Sequence, residues 1–288
     1  MSDFDFLEPI PKVSATVKLP SRGVLYSPEH PASGGKLTLT PMTMVDESLL
    51  MGDEPIDTLI DRILRRCLVE KLDVNSLIGS DKFFLFIMLR AITYGSSYTF
   101  TWTCSKSLGV KPCGHTNTMT VNIPDSFKVK FLADTDKEPF TVTLPDSGKE
   151  ISFRLLRGSD EPTIEAYTKE IKQKQDAGIS TPDTTFVYRL MRHITGVDGH
   201  SVKDAPPDKL MAFITSLGAV DRQYLQKQIA FFTPGLDTLI KTTCEKCQNG
   251  HEMEMPYLAS FFRAISDENE GGTVADEVRP HVLSADEE

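Results

Sequence analysis

The sequence predicts an α+β fold made of two similar halves, and two observations carry that expectation. Within each half the apolar patterns read as strands, then helices, then a strand-knuckle-strand hairpin, in a chain of 288 residues that is 40% apolar and 25% charged. A set of fixed spacings also occurs twice. Val17-Lys18-Leu19-Pro20-Ser21-Arg22-Gly23 returns as Val142-Thr143-Leu144-Pro145-Asp146-Ser147-Gly148, and each copy leads through an apolar segment to an Asp-Glu pair, Asp46-Glu47 and Asp160-Glu161. Asp81 precedes Gly95 by 14 residues and Gly95 precedes Cys104 by 9; Asp221, Gly235 and Cys244 are separated by the same two intervals. Chance likeness of short apolar patterns is the competing explanation, and it must account for several matches at once. The expected organisation is an N-terminal arm over 1–12, a first α+β repeat over 13–132, a linker over 133–139, a second repeat over 140–263 and an acidic tail over 264–288 expected to be disordered or to order only on a partner.

Within the first half, the segment after Pro55 places Ile56, Leu59, Ile60, Ile63, Leu64, Cys67 and Leu68 on one helical face, leaving Asp61, Arg62, Arg65 and Arg66 for solvent. Proline suits the first turn of such a helix. Residues 81–93 are apolar nearly all round, with Ser80 as the expected N-cap and Gly95 as the stop, which describes a buried central helix. Its counterpart is 221–232. The second half adds a helical stretch over 162–175, where Glu165, Lys169, Glu170, Lys172 and Lys174 predict a solvated surface with a thin apolar seam. Phe186, Val187, Leu190, Met191 and Ile194 then form another buried face. Each half closes on a Thr-rich strand running into a cysteine knuckle, Thr101-Trp102-Thr103-Cys104 and Lys241-Thr242-Thr243-Cys244. The linker, Ala133-Asp134-Thr135-Asp136-Lys137-Glu138-Pro139, is short, so the halves are expected to pack together.

Charge narrows the partners. The tail over 264–288 holds eight acids against Arg279, which is about −7 of the net −10. The remaining body is nearly balanced and has no cluster of Lys and Arg dense enough to neutralise a row of phosphates, so no nucleic-acid partner is expected. The apolar runs at 83–89 and around Phe231 fall short of the ~18–20 residues that cross a bilayer. Met1-Ser2-Asp3-Phe4-Asp5 has no basic region ahead of an apolar core, so no membrane partner and no secretory signal are expected.

Five cysteines in a chain of this size do not read as a disulfide framework. Cys244-Glu245-Lys246-Cys247 is half of a zinc knuckle, because two thiolates so close in sequence can bind one tetrahedral ion from a tight turn. Cys104 and Cys113, at the equivalent place in the first half, would supply the other two ligands, although their eight-residue spacer is long for a knuckle. The expectation is one structural zinc held by Cys104, Cys113, Cys244 and Cys247, with His115 or His251 as possible replacements for a thiolate. Reduced, unliganded cysteines are the competing reading. A redox motif fits less well, since Cys244 and Cys247 follow a β-branched strand instead of opening a helix. Cys67, on an apolar helix face, reads as a small hydrophobe. His193 and His200 read as solvated surface residues.

No catalytic constellation is found. GxSxG, HExxH, GxxxxGK[ST] and GxGxxG are all absent, so no catalytic residue, organic cofactor or small-molecule substrate is assigned.

The residues also carry a family likeness. Leu19-Pro20-Ser21-Arg22-Gly23 with Tyr26, Pro41-Met42-Thr43 ahead of Asp46-Glu47, Leu89-Arg90 with Thr93-Tyr94-Gly95, and Phe261-Phe262-Arg263 together resemble the T-even-type phage baseplate protein family, over roughly residues 13–263. The resemblance implies a non-catalytic structural or assembly role in the hub region of a contractile-tail baseplate. It further implies other tail proteins as partners, assembly in the host cytoplasm, and no catalytic residues to carry over. Two other classes stay open on the residues alone. A zinc-ribbon adapter on nucleic acid or polymerase would share the knuckles, though Glu245, Lys246, Glu252 and Glu254 flank Cys244 and Cys247 where mostly cations would be expected. A zinc hydrolase would need His115 or His251 with a carboxylate such as Glu252 as base.

Overall fold

The computed structural model describes residues 13–51, 56–108, 111–257 and 259–262. The expected N-terminal arm, Pro55, Arg263 and the acidic tail lie outside the described residues. What is described mixes helices with small antiparallel sheets, an α+β architecture. None of the described helices is long and apolar enough to cross a membrane.

The described residues begin with a hairpin of β1 (Ala15–Lys18) and β2 (Lys36–Leu39), paired Ala15↔Leu39 to Lys18↔Lys36 so that Val17, Leu37 and Leu39 face inward. The long turn between them is closed by glycine. A Cβ on Gly23, at φ +81, would lie 2.3 Å from the Ser33 carbonyl oxygen, and one on Gly35, at φ +68, would lie 2.5 Å from that of Arg22. After α1 (Met44–Ser48), α2 (Ile56–Cys67) buries Leu59, Ile60, Ile63, Leu64 and Cys67, which is the face its periodicity predicts. Its polar face is not wholly solvated as expected: Asp61 pairs with the buried Lys82, and Arg66 pairs with the buried Asp46. Both contacts come from elements distant in sequence, which periodicity cannot register.

Helix α3 (Gly79–Tyr94) buries Phe84, Leu85, Phe86, Ile87 and Leu89. It starts two residues earlier than expected, with Ile78 at the cap position and Ser80 inside the first turn. A strand-like contact sets that start: Gly79 N–H donates to the Leu156 carbonyl at 2.9 Å and Gly158 N–H to that of Leu77 at 2.8 Å. Then β3 (Ser97–Thr103), the short β4 (Ser107–Leu108) and β5 (Lys111–Pro112), and β6 (Thr116–Asn122) form one extended hairpin with a two-rung ladder at its tip. The long cysteine spacer is that tip. After β7 (Lys128–Lys130), the second half opens with β8 (Phe140–Thr143) and β9 (Glu150–Phe153), continues through α4 (Glu161–Asp176) and α5 (Thr185–His193), and returns to the sheet with β10 (Ile194–Val197) and β11 (His200–Ser201). Strand order is β11-β10-β9-β8.

Two expectations fail around α5. Ile194 is buried with Leu190 and Met191 as expected, but it starts β10 opposite Phe153 instead of closing the helix face. His193 is not a solvated residue: its Nδ1 lies 2.8 Å from the Arg154 carbonyl, and burial holds its pKa down to about 4, so the neutral ring donates there. His200 is exposed. Helix α6 (Pro207–Thr215), which the sequence reading did not anticipate, follows Pro206 at its N-terminus and precedes α7 (Ala219–Phe232). The chain then forms β12 (Gly235–Asp237), which pairs with β7, and a last hairpin of β13 (Leu239–Thr243) and β14 (Gly250–Glu254).

Several contacts occur at matching places in the two halves. The β8–β9 ladder pairs Phe140↔Phe153 to Thr143↔Glu150, as β1–β2 pairs Ala15↔Leu39 to Lys18↔Lys36. Asp81 in the first turn of α3 accepts from Ser21 N–H at 3.0 Å, and Asp221 in the first turn of α7 accepts from Asp146 N–H at 2.8 Å. Asp46 accepts from Thr43 N–H and from Arg66; Asp160 accepts from Arg157 N–H and from Arg192. Thr40 N–H donates to Cys67 and Arg154 N–H to His193, both at 2.8 Å. Two apolar cores result, one around α2, α3 and β3–β6, the other around β8, β9, α5 and α7. The β13–β14 hairpin does not join the second. Ile240, Cys244, Met255, Phe261 and Phe262 belong to the first core.

Gly23 and Gly148 occupy corresponding turns, both at positive φ, yet a Cβ on Gly148 would meet open space. Gly23→Ala should therefore cost at least ~2 kcal/mol in chemical denaturation, from backbone strain plus the clash, against about 1 kcal/mol for Gly148→Ala from strain alone.

Candidate metal centre

The strands place the cysteines before any ion is considered. Cys104 follows the last residue of β3 and Cys113 precedes β6, so the ladder pairing Thr103↔Thr116 holds them at one end of their hairpin. Cys244 and Cys247 stand likewise at the end of the β13–β14 hairpin, beyond Thr243↔Gly250. The two hairpin ends face each other. All four sulfur atoms lie within 4.8 Å of one another, with Cys104 and Cys247 3.6 Å apart and Cys113 and Cys244 3.9 Å apart. All four are free thiols; Cys104, Cys113 and Cys244 are buried and Cys247 is half-buried.

The donor set fits a tetrahedral dication. Metal–sulfur bonds of ~2.3 Å place ligand sulfurs ~3.8 Å apart along each tetrahedral edge, which is the spacing of the two cross-hairpin pairs. Among the described residues no other group of three or more His, Cys, Asp or Glu ligand atoms converges in this way. Each sulfur is also met by a backbone amide two residues on: Lys106 at Cys104, His115 at Cys113, Lys246 at Cys244 and Asn249 at Cys247. Such N–H groups stabilise sulfur as thiolate.

The thiols differ in how readily they ionise. Burial pushes Cys104 up to about 12 and also raises Cys113. At Cys244 burial acts in the same direction, but the amides of Cys247 and Lys246 and the side chain of Asn117 outweigh it and bring the thiol down to about 6. Cys247 is held down by the Asn249 amide. Ionising all four sulfurs in so small a space would be opposed by their mutual repulsion, which a bound dication would relieve.

Two polar side chains cross between the hairpins. Asn117, the fourth residue after Cys113, donates through Nδ2 to Cys244 Sγ at 3.7 Å and accepts at Oδ1 from the Glu245 amide at 2.9 Å. His251, the fourth residue after Cys247, brings Nε2 to 3.1 Å from Cys104 Sγ and stacks its ring 4.7 Å from that of Trp102. Each hairpin thus supports the first cysteine of the other. Neither histidine belongs to the converging ligand set; the His115 ring faces Glu245, at 3.9 Å. Asn117 is not among the site residues expected from the sequence. Its offset from Cys113 equals that of His251 from Cys247, a signal visible without the structure.

Asn117 is buried, so Asn117→Leu should leave the Glu245 amide without its partner and lower stability by roughly 1–3 kcal/mol in urea unfolding. A cost near zero would mean that water replaces the contact.

A family model described as T4 bacteriophage base plate protein matches residues 7–263. No curated protein and no solved structure matches the chain at a significant level.

Proposed function

The chain belongs to the T4 bacteriophage base plate protein family, and from that membership we propose that it is a non-catalytic structural or assembly component of the hub region of a contractile tail, acting by binding other tail proteins. What carries the reading is the extent of the match, 7–263, which includes every described residue. The lack of a catalytic motif in the sequence supports a scaffold in preference to an enzyme. On this reading the protein is assembled in the host cytoplasm and resides in the tail baseplate, with no nucleic acid, membrane or small-molecule substrate among its ligands. Mass spectrometry of purified tails should find it at a fixed copy number per particle. Its absence from both tails and tail precursors, or its recovery with nucleic acid in their place, would overturn the assignment.

The second part of the proposal is a structural zinc bound by Cys104, Cys113, Cys244 and Cys247. When bound, the ion supplies a closed thiolate centre with no open position for substrate, and soft thiolates favour zinc or iron over harder cations. The residues around it do the positioning: the four amides, Asn117 and His251 hold the sulfurs in place, and the two hairpins are joined at their ends. Elemental analysis should give one zinc per chain. Cys244→Ser should lose the ion and several kcal/mol of stability, on the order of other structural zinc sites. A metal-free protein of full stability, or a coloured iron protein, would refute the zinc clamp.

The third part is that residues 13–132 and 140–263, joined by 133–139, are copies of one ancestral unit. The matched hairpin registers, the matched Asp81 and Asp221 contacts and the crossed Asn117 and His251 positions support it. Helix α4, 16 residues long, stands after the second strand of its half where the first half has the five-residue α1, and its extra turns read as an insertion.

A further inference from the structure

The rim of the β1–β2 hairpin carries charge that the hairpin does not need. Lys18 and Lys36 are direct cross-strand partners and both are exposed, an arrangement in which like charges oppose pairing. Arg22, at φ 54 in the turn after β1, sets its guanidinium 5.6 Å over the ring of Phe131, which is 44% exposed. With Leu19 and Gly35 these residues line an open groove of about 430 Å³. Its walls are stiff, because Gly23 and Gly35 bring the two loops into backbone contact. The second half supplies an internal control. There the same register pairs Thr143 with Glu150 where the first half pairs Lys18 with Lys36, and Ser147 stands in place of Arg22. The hairpin closes without the three cations. Asp134 reaches Arg22 at 3.2 Å, but it is 81% exposed and solvent screens the pair.

We propose that this groove docks the chain's own acidic C-terminal segment, residues 264–288. The segment's eight acids and single arginine complement a basic groove on a chain of net charge −10. Asp276-Glu277-Val278 sets two carboxylates beside an apolar side chain, as Lys18 and Lys36 stand beside Phe131. Reach favours the same occupant. The described chain ends at Phe262, whose ring packs 4.7 Å from that of Phe86 in α3, while the turn after β1 is bonded to Asp81 of the same helix. Five helical residues separate those two anchors, about 7.5 Å along the axis, and 26 extended residues span up to ~85 Å. A tether this short raises the local concentration to the millimolar range, so a modest charge-driven contact is occupied. Docking would shield the basic rim in the free chain, and an acidic neighbour would have to displace the segment. The inference does not depend on the metal or on the hub assignment.

Zero-length carbodiimide coupling of lysine amines to carboxylates tests it on the full-length chain. Mass spectrometry should find Lys18 and Lys36 joined, within one chain, to acids of the segment, in preference to surface lysines such as Lys172 and Lys209. The yield should fall roughly fivefold between about 20 mM and about 500 mM salt. Phe131→Ser, which leaves both lysines in place, should lower it several-fold. The variant Lys18→Thr/Lys36→Glu carries the residues of the equivalent hairpin, and in it limited proteolysis of the segment should run several-fold faster than in the native chain. Absent links, links spread evenly over surface lysines, links found only in covalent dimers, or an unchanged proteolysis rate would each overturn the proposal.

Discussion

Four sulfur atoms from widely separated parts of the chain meet because the β13–β14 hairpin packs away from the core of its own half. Ile240, Cys244 and Met255 lie with Phe261 and Phe262 in the core around α3, where Phe86 contacts both phenylalanines. Arg90 fastens the same corner, donating to the carbonyls of Gly95 and Phe261 and lying 5.1 Å over the ring of Tyr98. Only with that hairpin in place can Cys244 and Cys247 oppose Cys104 and Cys113. Burial of these aromatic rings is the large apolar term at the corner, and the thiol cluster sits at its edge. The pairing of β12 with β7 ties the halves at a second place.

Buried carboxylates recur as the devices that hold turns against helices. Asp160 accepts from Arg154, Arg157 N–H and Arg192; burial opposes its charge, but these donors outweigh burial and hold its pKa at about 2. Asp81 takes its hydrogen bonds from Ser21 and from the Tyr26 hydroxyl, without a cation in contact, and there burial raises the pKa. Buried charges of this kind contribute little net stability compared with apolar replacements. Their effect lies in geometry, since each fixes a turn to one helix terminus, and both halves use them at corresponding positions. The second half dispenses with other features of the first. Helix α7 leaves Val220 and Phe231 exposed where α3 has no exposed residue, and among the described residues the β13–β14 hairpin contributes to the core around α3 and not to the core around α7.

Much of the fold was legible in the residues. The face of α2, the apolar length of α3 and the two knuckles follow from spacing, because a helix or hairpin imposes its period on its own sequence. The four cysteines were legible as a set for the same reason: two pairs at equivalent offsets, each after a Thr-rich strand. Ile194, His193 and α6 were misread or missed. Their states depend on β9, Arg154 and the packing of α5, which lie far away in sequence. Asp61 and Arg66 were assigned to solvent because nothing in the helical period of α2 refers to Lys82 or Asp46.

The sequence by itself determined the local elements, the candidate ligands and the family, all of which are written in short-range patterns and fixed spacings. Only the tertiary structure decided which hairpin joins which core, which sulfur faces which, and that Asn117 and His251 support the opposite hairpin's cysteine. Those outcomes depend on the shape and burial of surfaces brought together across more than a hundred residues of chain, and no local period encodes them. The cationic groove is of the same kind: nothing in the local pattern joins Lys18 and Arg22 to Lys36 and Phe131 until the register of one hairpin and the path of the chain after β7 set them side by side.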